Sequence, residues 1–331
     1  MSGTDSNPGM LLEMSGYYWK TCTLHAGVKL DVFTLIGEAS LAGEAVARKL
    51  KGDADGVTRL LNALAALGFL DKSEGRFSNT PLSSTFLSKE SPQYIGFMIM
   101  HHYHLVESWH RLDEAVLSGK AIRGRMSFSD PEYRESFLMG MFNLAMGLAP
   151  KLVPKIDLTG KRRLLDLGGG PGTYAIHFCK QNPELKAVVF DLPTTRPFAE
   201  KTIARFDLSD RIEFIGGDFL EDDLPGTYDA VWLSHILHGE GPKDCRKLMK
   251  KAASVLNPGG LILIHEFILN NNRDGPAFSA IFSLNMLLGT EQGRAYSEQE
   301  LSDMMTEAGA GNIHRVPVDT PNDSGILIGE L

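Results

Sequence analysis

Two histidines three residues apart, His235 and His238, stand in the stretch "WLSHILHGEG", where an apolar run gives out. An imidazole titrates near neutrality, so at such a place it can take a proton, bind a metal or pack as a ring. A shared metal would need further ligands. No cysteine or carboxylate stands beside the pair at ligand spacing, so no metal is expected.

A second set of residues has the spacing of a ligand cradle. In "LLDLGGGPGTY", Gly168, Gly170 and Gly172 form G-x-G-x-G, with Pro171 inside the loop and Thr173 where a dinucleotide fingerprint carries its third glycine. Such a loop admits close backbone approach but suits a pyrophosphate poorly. No G-x-x-x-x-G-K-S/T occurs, which argues against a nucleoside triphosphate. Asp191 closes the next apolar run, 19 residues after Gly172, where a carboxylate can accept ribose hydroxyls. In "GGDF", after the third run, Asp218 can accept from an adenine amine and Phe219 can stack on its ring. Together these describe an adenosine site without a phosphate site.

The elements that must position these residues alternate. "RRLLDL", "KAVVFDL", "RIEFIGG", "YDAVWLS" and "GLILIHEFIL" read as strands, separated by the helical segments "TYAIHFCKQ", "TTRPFAEKTIARF" and "PKDCRKLMKKAASVL". Near-continuous apolar strands with helical crossovers indicate a buried parallel sheet, which binds ligands at the carboxyl ends of its strands. Every polar signature above sits at such an end. The front of the chain has another rhythm. "HAGVKLDVFTLIG" carries one apolar stripe closed by Gly37, "SLAGEAVARKL" follows with Ser40 as N-cap, and "DADGVTRLLNALAALGFL" offers Asp53 or Asp55 as cap. Two short strand-like runs around Ser73-Glu74-Gly75 then read as a hairpin. This is the order of a winged helix.

Whole-chain properties limit what this can be. The 331 residues are 43% hydrophobic and 22% charged, an ordinary globular composition. A net charge of −8, and a third helix with only Arg59 against Asp53 and Asp55, disfavour nucleic acid as partner and favour dimerisation as the front module's role. Three unspaced cysteines fit reduced thiols and a cytoplasmic location. "MSGTDSNPGM" lacks the pattern of a signal peptide, and no apolar run approaches the roughly 20 residues of a membrane span.

With the motifs in order, "LLDLGGGPGTY", "VVFDLP", "GGDF", "LSHILH" and "HEFIL" behind a winged-helix front, the chain resembles the S-adenosylmethionine-dependent, caffeate-type small-molecule O-methyltransferases from about Tyr17 to its end. The resemblance implies an α/β fold: a Rossmann-like doubly wound sheet of the class I methyltransferase type behind a mostly helical domain. The implied division is a winged-helix dimerisation domain at 11–97, a helical connector and acceptor-pocket wall at 98–151, and a catalytic domain binding S-adenosyl-L-methionine at 152–331. It implies that Gly168, Gly170 and Gly172 border the methionine and ribose, that Asp191 holds the ribose and Asp218 and Phe219 the adenine, and that Ser234 lies beside the sulfonium. Asp166 and Leu192 complete the expected cofactor set.

By the same resemblance His238 is the general base and Glu266 the carboxylate that orients it. His235 is then pocket wall or packing. Removing the proton of a phenol, whose pKa is about 10, is what a positioned imidazole would contribute. Met146, Asn285 and Met286 are the expected acceptor neighbours, on helices that also carry Phe142 and Phe282. His101, His104 and Trp109 stand in the connector. Gly239-Glu240 replaces the family's Asp-Trp after the base, and Ala295 stands where a second supporting carboxylate is usual, so an S- or N-methyltransferase, or a family member with other chemistry, remains an alternative to the hydroxyl acceptor. A homodimer through the front domain is expected; a DNA-binding regulator is the least favoured reading.

Overall fold

The computed structural model describes residues 8–124 and 130–331. Residues 1–7, most of the stretch "MSGTDSNPGM", and 125–129, inside the expected connector, lie outside the described residues. The chain divides into two compact units, 1–104 and 105–331.

The first unit is mostly helical. Its core gathers Val28, Phe33, Ile36, Val46, Leu61, Leu64, Leu70 and Phe77. The stripe expected as one helix is two: Tyr17–Lys29 and Val32–Ile36, broken by a left-handed Asp31 at φ 56°. Leu30, placed on that stripe by the sequence, is exposed at the break. Gly37 closes the second helix at φ 57°. Ser40 is not an N-cap. Leu41–Ala42 forms a short strand, β1, paired with Phe77 and Arg76, and the helix Gly43–Leu50 begins only after it. Asp53 is the cap of Ala54–Ala66, its carboxylate accepting from the Gly56 N–H at 2.7 Å. Strands β2 (Leu70–Ser73) and β3 (Arg76–Asn79) form the hairpin, with Glu74 and Gly75 both at positive φ as a two-residue turn requires.

The second unit is a seven-stranded sheet with helices on both faces. Its strands are β4 (Arg163–Leu167), β5 (Lys186–Asp191), β6 (Ile212–Gly216), β7 (Tyr228–Ser234), β8 (Leu256–Glu266), β9 (Gly311–Val316) and β10 (Gly325–Glu330), in the order β6-β5-β4-β7-β8-β10-β9. The first five are the sequence-predicted strands and run parallel; β10 inserts antiparallel between β8 and β9. Alternate residues of each strand feed opposite cores. Leu164, Val189, Trp232 and Leu263 pack on one face, while Leu165, Val188, Val231 and Ile264 pack on the other. The chain runs outward from β4 to β6, then returns to place β7 on β4's other side. That reversal opens a crevice at the carboxyl ends of β4 and β7.

One expectation about membranes is corrected. The helix Pro131–Leu152, continued to Lys155, is long and apolar enough to cross a bilayer. It buries Leu138, Phe142, Ala149 and Leu152 within the second unit.

Candidate active site

The loop after β4 owes its shape to glycine. Gly168, Gly170 and Gly172 adopt φ of 66°, 53° and 79°, a region that side chains resist. A Cβ on Gly168 would fall 2.6 Å from Ile236 Cγ2 and 3.5 Å from Phe219, so both side chains lie over the loop. A Cβ on Gly170 would meet nothing closer than Leu138 at 4.0 Å, so this face of the loop is open. Beneath the loop Asp166 is 1% exposed. Its Oδ2 accepts from the Ala175 N–H at 3.1 Å, while Oδ1 is buried without a partner, as is the Thr173 hydroxyl. Burial, with the charge of Asp191 adding to it, pushes the Asp166 carboxyl up to about 7.

Asp191, at the end of β5, does more than wait for a ligand. Its Oδ2 accepts from Gly170 N–H at 2.8 Å, and Oδ1 accepts from Leu192 N–H at 2.7 Å and Thr195 Oγ1 at 2.9 Å. Three of a carboxylate's roughly four acceptor directions are thus used internally. Asp218 accepts from Leu220 N–H, and its own N–H donates to Asp222.

Two loops away, Ser234 Oγ pairs with His265 Nδ1 at 3.0 Å, and His265 Nε2 pairs with Ser324 Oγ at 3.0 Å. His265 is fully buried, which holds its pKa well below the usual imidazole value and keeps it neutral. Sequence reasoning passed over His265 because its partners, Ser234 and Ser324, are distant in sequence.

The opening pair of histidines meets at Glu266. His238 sits in a single 3-10 turn after β7, and its Nδ1 lies 2.8 Å from Glu266 Oε2. Its backbone N–H also donates to Oε1 at 3.2 Å, and the Phe267 N–H donates to Oε2 at 3.3 Å. His235, at φ 56°, brings its Nδ1 to 3.6 Å from the same oxygen and packs its ring on Phe267 with centroids 4.3 Å apart. Burial alone would raise the Glu266 carboxyl. His238 and His235 outweigh it and hold the group well below the carboxylate range.

The spacing argument against a third ligand is therefore corrected. A carboxylate distant in sequence completes a cluster, and the donor atoms of His235, His238 and Glu266 lie within 4.8 Å of one another. The short His238–Glu266 hydrogen bond is what an oriented base requires, and it does not call for an ion. Ala295, at the position of the missing second carboxylate, is buried with its N–H on Ser283 Oγ. Glu266 is instead supported by the two backbone N–H groups.

The helix Ala277–Gly289 covers this pair. Phe282 meets the His238 ring edge-on at 4.7 Å and Phe267 at 4.5 Å. Met286 is buried, and Asn285 Oδ1 accepts from Arg123 at 3.1 Å. Met146 is half-buried on Pro131–Leu152, the helix whose Leu138 faces the glycine loop. His101 and His104 belong to the first unit, and Trp109 to the second. A separate depression of about 410 Å³, bordered by Arg163, Lys186 and Arg211, lies at the amino ends of β4 to β6, away from these residues.

Residues 109–310 match the O-methyltransferase domain family, and residues 12–89 match the O-methyltransferase dimerisation domain. The chain belongs to the O-methyltransferase family. It is 32% identical to 3-hydroxy-5-methyl-1-naphthoate 3-O-methyltransferase of Streptomyces sahachiroi, over 97% of this chain and 95% of that one. It is 31% identical to the tetracenomycin polyketide synthesis 8-O-methyltransferase of Streptomyces glaucescens, over 96% of each. Among solved structures, human N-acetylserotonin methyltransferase in complex with S-adenosylmethionine superposes with a TM-score of 0.87 at 25% identity, over 100% of this chain and 99% of that one. The protein is an S-adenosylmethionine-dependent methyltransferase of small molecules with a class I catalytic fold. The open left-handed loop, the orphaned Asp166 oxygen and the remaining acceptor direction of Asp191 fit that cofactor, which carries a cation and two ribose hydroxyls.

Proposed function

We propose that the protein methylates a hydroxyl group on a small aromatic acceptor, with His238 as general base and Glu266 as its positioning partner. The observation that carries this reading is the 2.8 Å bond between His238 Nδ1 and a buried carboxylate at the end of the neighbouring strand. With Nδ1–H donated to Glu266, Nε2 keeps its lone pair for the acceptor's proton. Phe267 and Phe282, packed around the imidazole, suit a flat apolar acceptor. The S. sahachiroi and S. glaucescens relatives are both named for O-methylation, the first of a hydroxylated naphthoate, which supports the hydroxyl over sulfur or nitrogen.

S-adenosylmethionine, when bound, supplies an electrophilic methyl group on its sulfonium. Gly168, Gly170, Gly172, Asp166, Asp191, Leu192, Asp218, Phe219 and Ser234 would hold it. The chain's own contribution is to hold the acceptor oxygen in line, to exclude water with the aromatic ring cluster, and to receive the hydroxyl proton at His238. Met146, Asn285 and Met286 would border the acceptor. Self-association through the dimerisation domain is supported by Met10, Leu11, Leu12, Met14 and Trp19, all at least 60% exposed on its first two helices.

The test is S-adenosylhomocysteine production against hydroxylated aromatics and matched thiols and amines. Hydroxyl acceptors should turn over, and His238→Ala should lower that turnover by about 10²–10⁴ while sparing cofactor affinity. Undiminished turnover in His238→Ala would overturn the assignment.

A further inference from the structure

Arg123 occupies an unusual position for an arginine. Its guanidinium is half-buried; Nε donates to Ser108 Oγ at 3.2 Å and one terminal nitrogen donates to Asn285 Oδ1 at 3.1 Å. Both partners are neutral, and among the described residues no carboxylate pairs with it. A guanidinium has five N–H donors in a planar fork, so beyond these two bonds three have no partner among the described residues. A half-buried cation without a counter-charge is costly, and desolvation already lowers this group's pKa. The surrounding sequence makes room for it. A Cβ on Gly289 would fall 2.6 Å from the guanidinium carbon, so a side chain there would push the arginine's end away from its present place against the helix.

The helix Ala277–Gly289 relates this cation to the base. Phe282, Asn285 and Gly289 stand at i, i+3 and i+7, which is a single stripe of an α-helix. Phe282 packs on His238, whereas Asn285 and Gly289 pack on Arg123. At about 1.5 Å per residue, the points where the helix meets the two groups are offset by roughly 5–10 Å along that stripe. This is the span between a hydroxyl and an acidic substituent across one or two fused aromatic rings.

We infer that the acceptor carries a carboxylate, which Arg123 receives while the hydroxyl to be methylated lies at His238. The inference rests on the hydroxyl-acceptor reading and narrows it to hydroxylated aromatic acids. Asn285 then acts as a positioning residue that turns the guanidinium fork, with Ser108 holding its other edge. A planar fork matches a carboxylate through two parallel bonds, which fixes the ring's orientation as well as its affinity.

The test compares 6-hydroxy-2-naphthoate with 2-naphthol, which share the ring and hydroxyl but differ in the acid. Binding is measured by calorimetry on the full-length protein saturated with S-adenosylhomocysteine. The wild type should bind the acid at least about tenfold more tightly, as a charge-assisted bidentate contact provides. Arg123→Gln should abolish that preference, weakening the acid at least about tenfold more than 2-naphthol. Arg123→Lys should keep part of it, and Gly289→Ala should reduce it with the arginine still present, which guards against misfolding of any single variant. Equal binding of the two compounds by wild type, or a preference that survives Arg123→Gln, overturns the inference. Methylation of 2-naphthol that depends on His238 separates the two readings, because it holds or fails without reference to Arg123.

Discussion

His238 and Glu266 are joined at two points, ring nitrogen to one carboxylate oxygen at 2.8 Å and backbone N–H to the other at 3.2 Å. The first bond orients the imidazole; the second fixes the turn that carries it. Glu266→Gln keeps the volume and can still accept at one oxygen, but its amide cannot serve as the anionic partner of an imidazolium. We expect turnover of a hydroxyl acceptor to fall by about 10²–10⁴, comparable to losing the base itself. Cofactor affinity should stay within about twofold. The same assay with a strong chelator should show no loss; inhibition reversed by added metal would assign His235, His238 and Glu266 to an ion instead.

Asp191 ties the glycine loop to β5 through Gly170 before any ligand is bound. Asp191→Ala should therefore weaken S-adenosylmethionine binding and also destabilise the free protein. Hydrogen bonds to a charged group contribute roughly 1.5–3 kcal/mol each. Calorimetry should show at least a tenfold loss of affinity, and thermal denaturation of the ligand-free variant should show a lower Tm. An unchanged Tm would mean that the three internal bonds are idle.

Asp166 makes stability depend on pH in a known direction. Its folded carboxyl titrates at about 7, against about 3.9 in an unfolded chain. Between these values the folded protein holds a proton that the unfolded one has released, so stability falls as pH rises through the window, and the full cost is present above 7. Asp166→Asn removes this cost. The variant's Tm relative to wild type should rise by several degrees between pH 5 and pH 8 in the ligand-free protein. Parallel curves would refute the assignment.

The exposed apolar residues of Pro8–Ser15 and Tyr17–Lys29 should be covered in a homodimer. Light scattering should give about twice the chain mass, and Leu12→Glu combined with Trp19→Glu should shift it toward monomer. A wild-type monomer at micromolar concentration would dismiss the dimer.

Much of the catalytic unit was legible because its parallel strands are buried on both faces and read as unbroken apolar runs. β9 and β10 were not: "GNIHRV" is mostly exposed, and "GILIGE" is a short run interrupted by glycines. The glycine loop announced itself because its dihedrals admit little else. The pairing of Glu266 with His238 was expected from the resemblance alone; its approach to His235, distant in sequence, was hidden, since carboxyl ends of adjacent strands converge only once the sheet forms. Ser40 misled because a local cap pattern lost to pairing of Leu41 and Ala42 with β3. Arg123 was invisible as a site, for its partners Ser108, Asn285 and Gly289 come from two other segments.

The strand order also governs how the enzyme must be made. β10 lies inside the sheet, between β8 and β9, and Leu331 itself exchanges backbone bonds with Gly259 and Gly260. The strand that abuts Glu266 is therefore also the one that holds β9 in the sheet. Until β10 docks, β8 presents a bare edge and His265 lacks Ser324. Completion of the catalytic centre thus waits on a pairing between distant segments, and loss of β10 would detach β9 as well as strip the edge beside Glu266.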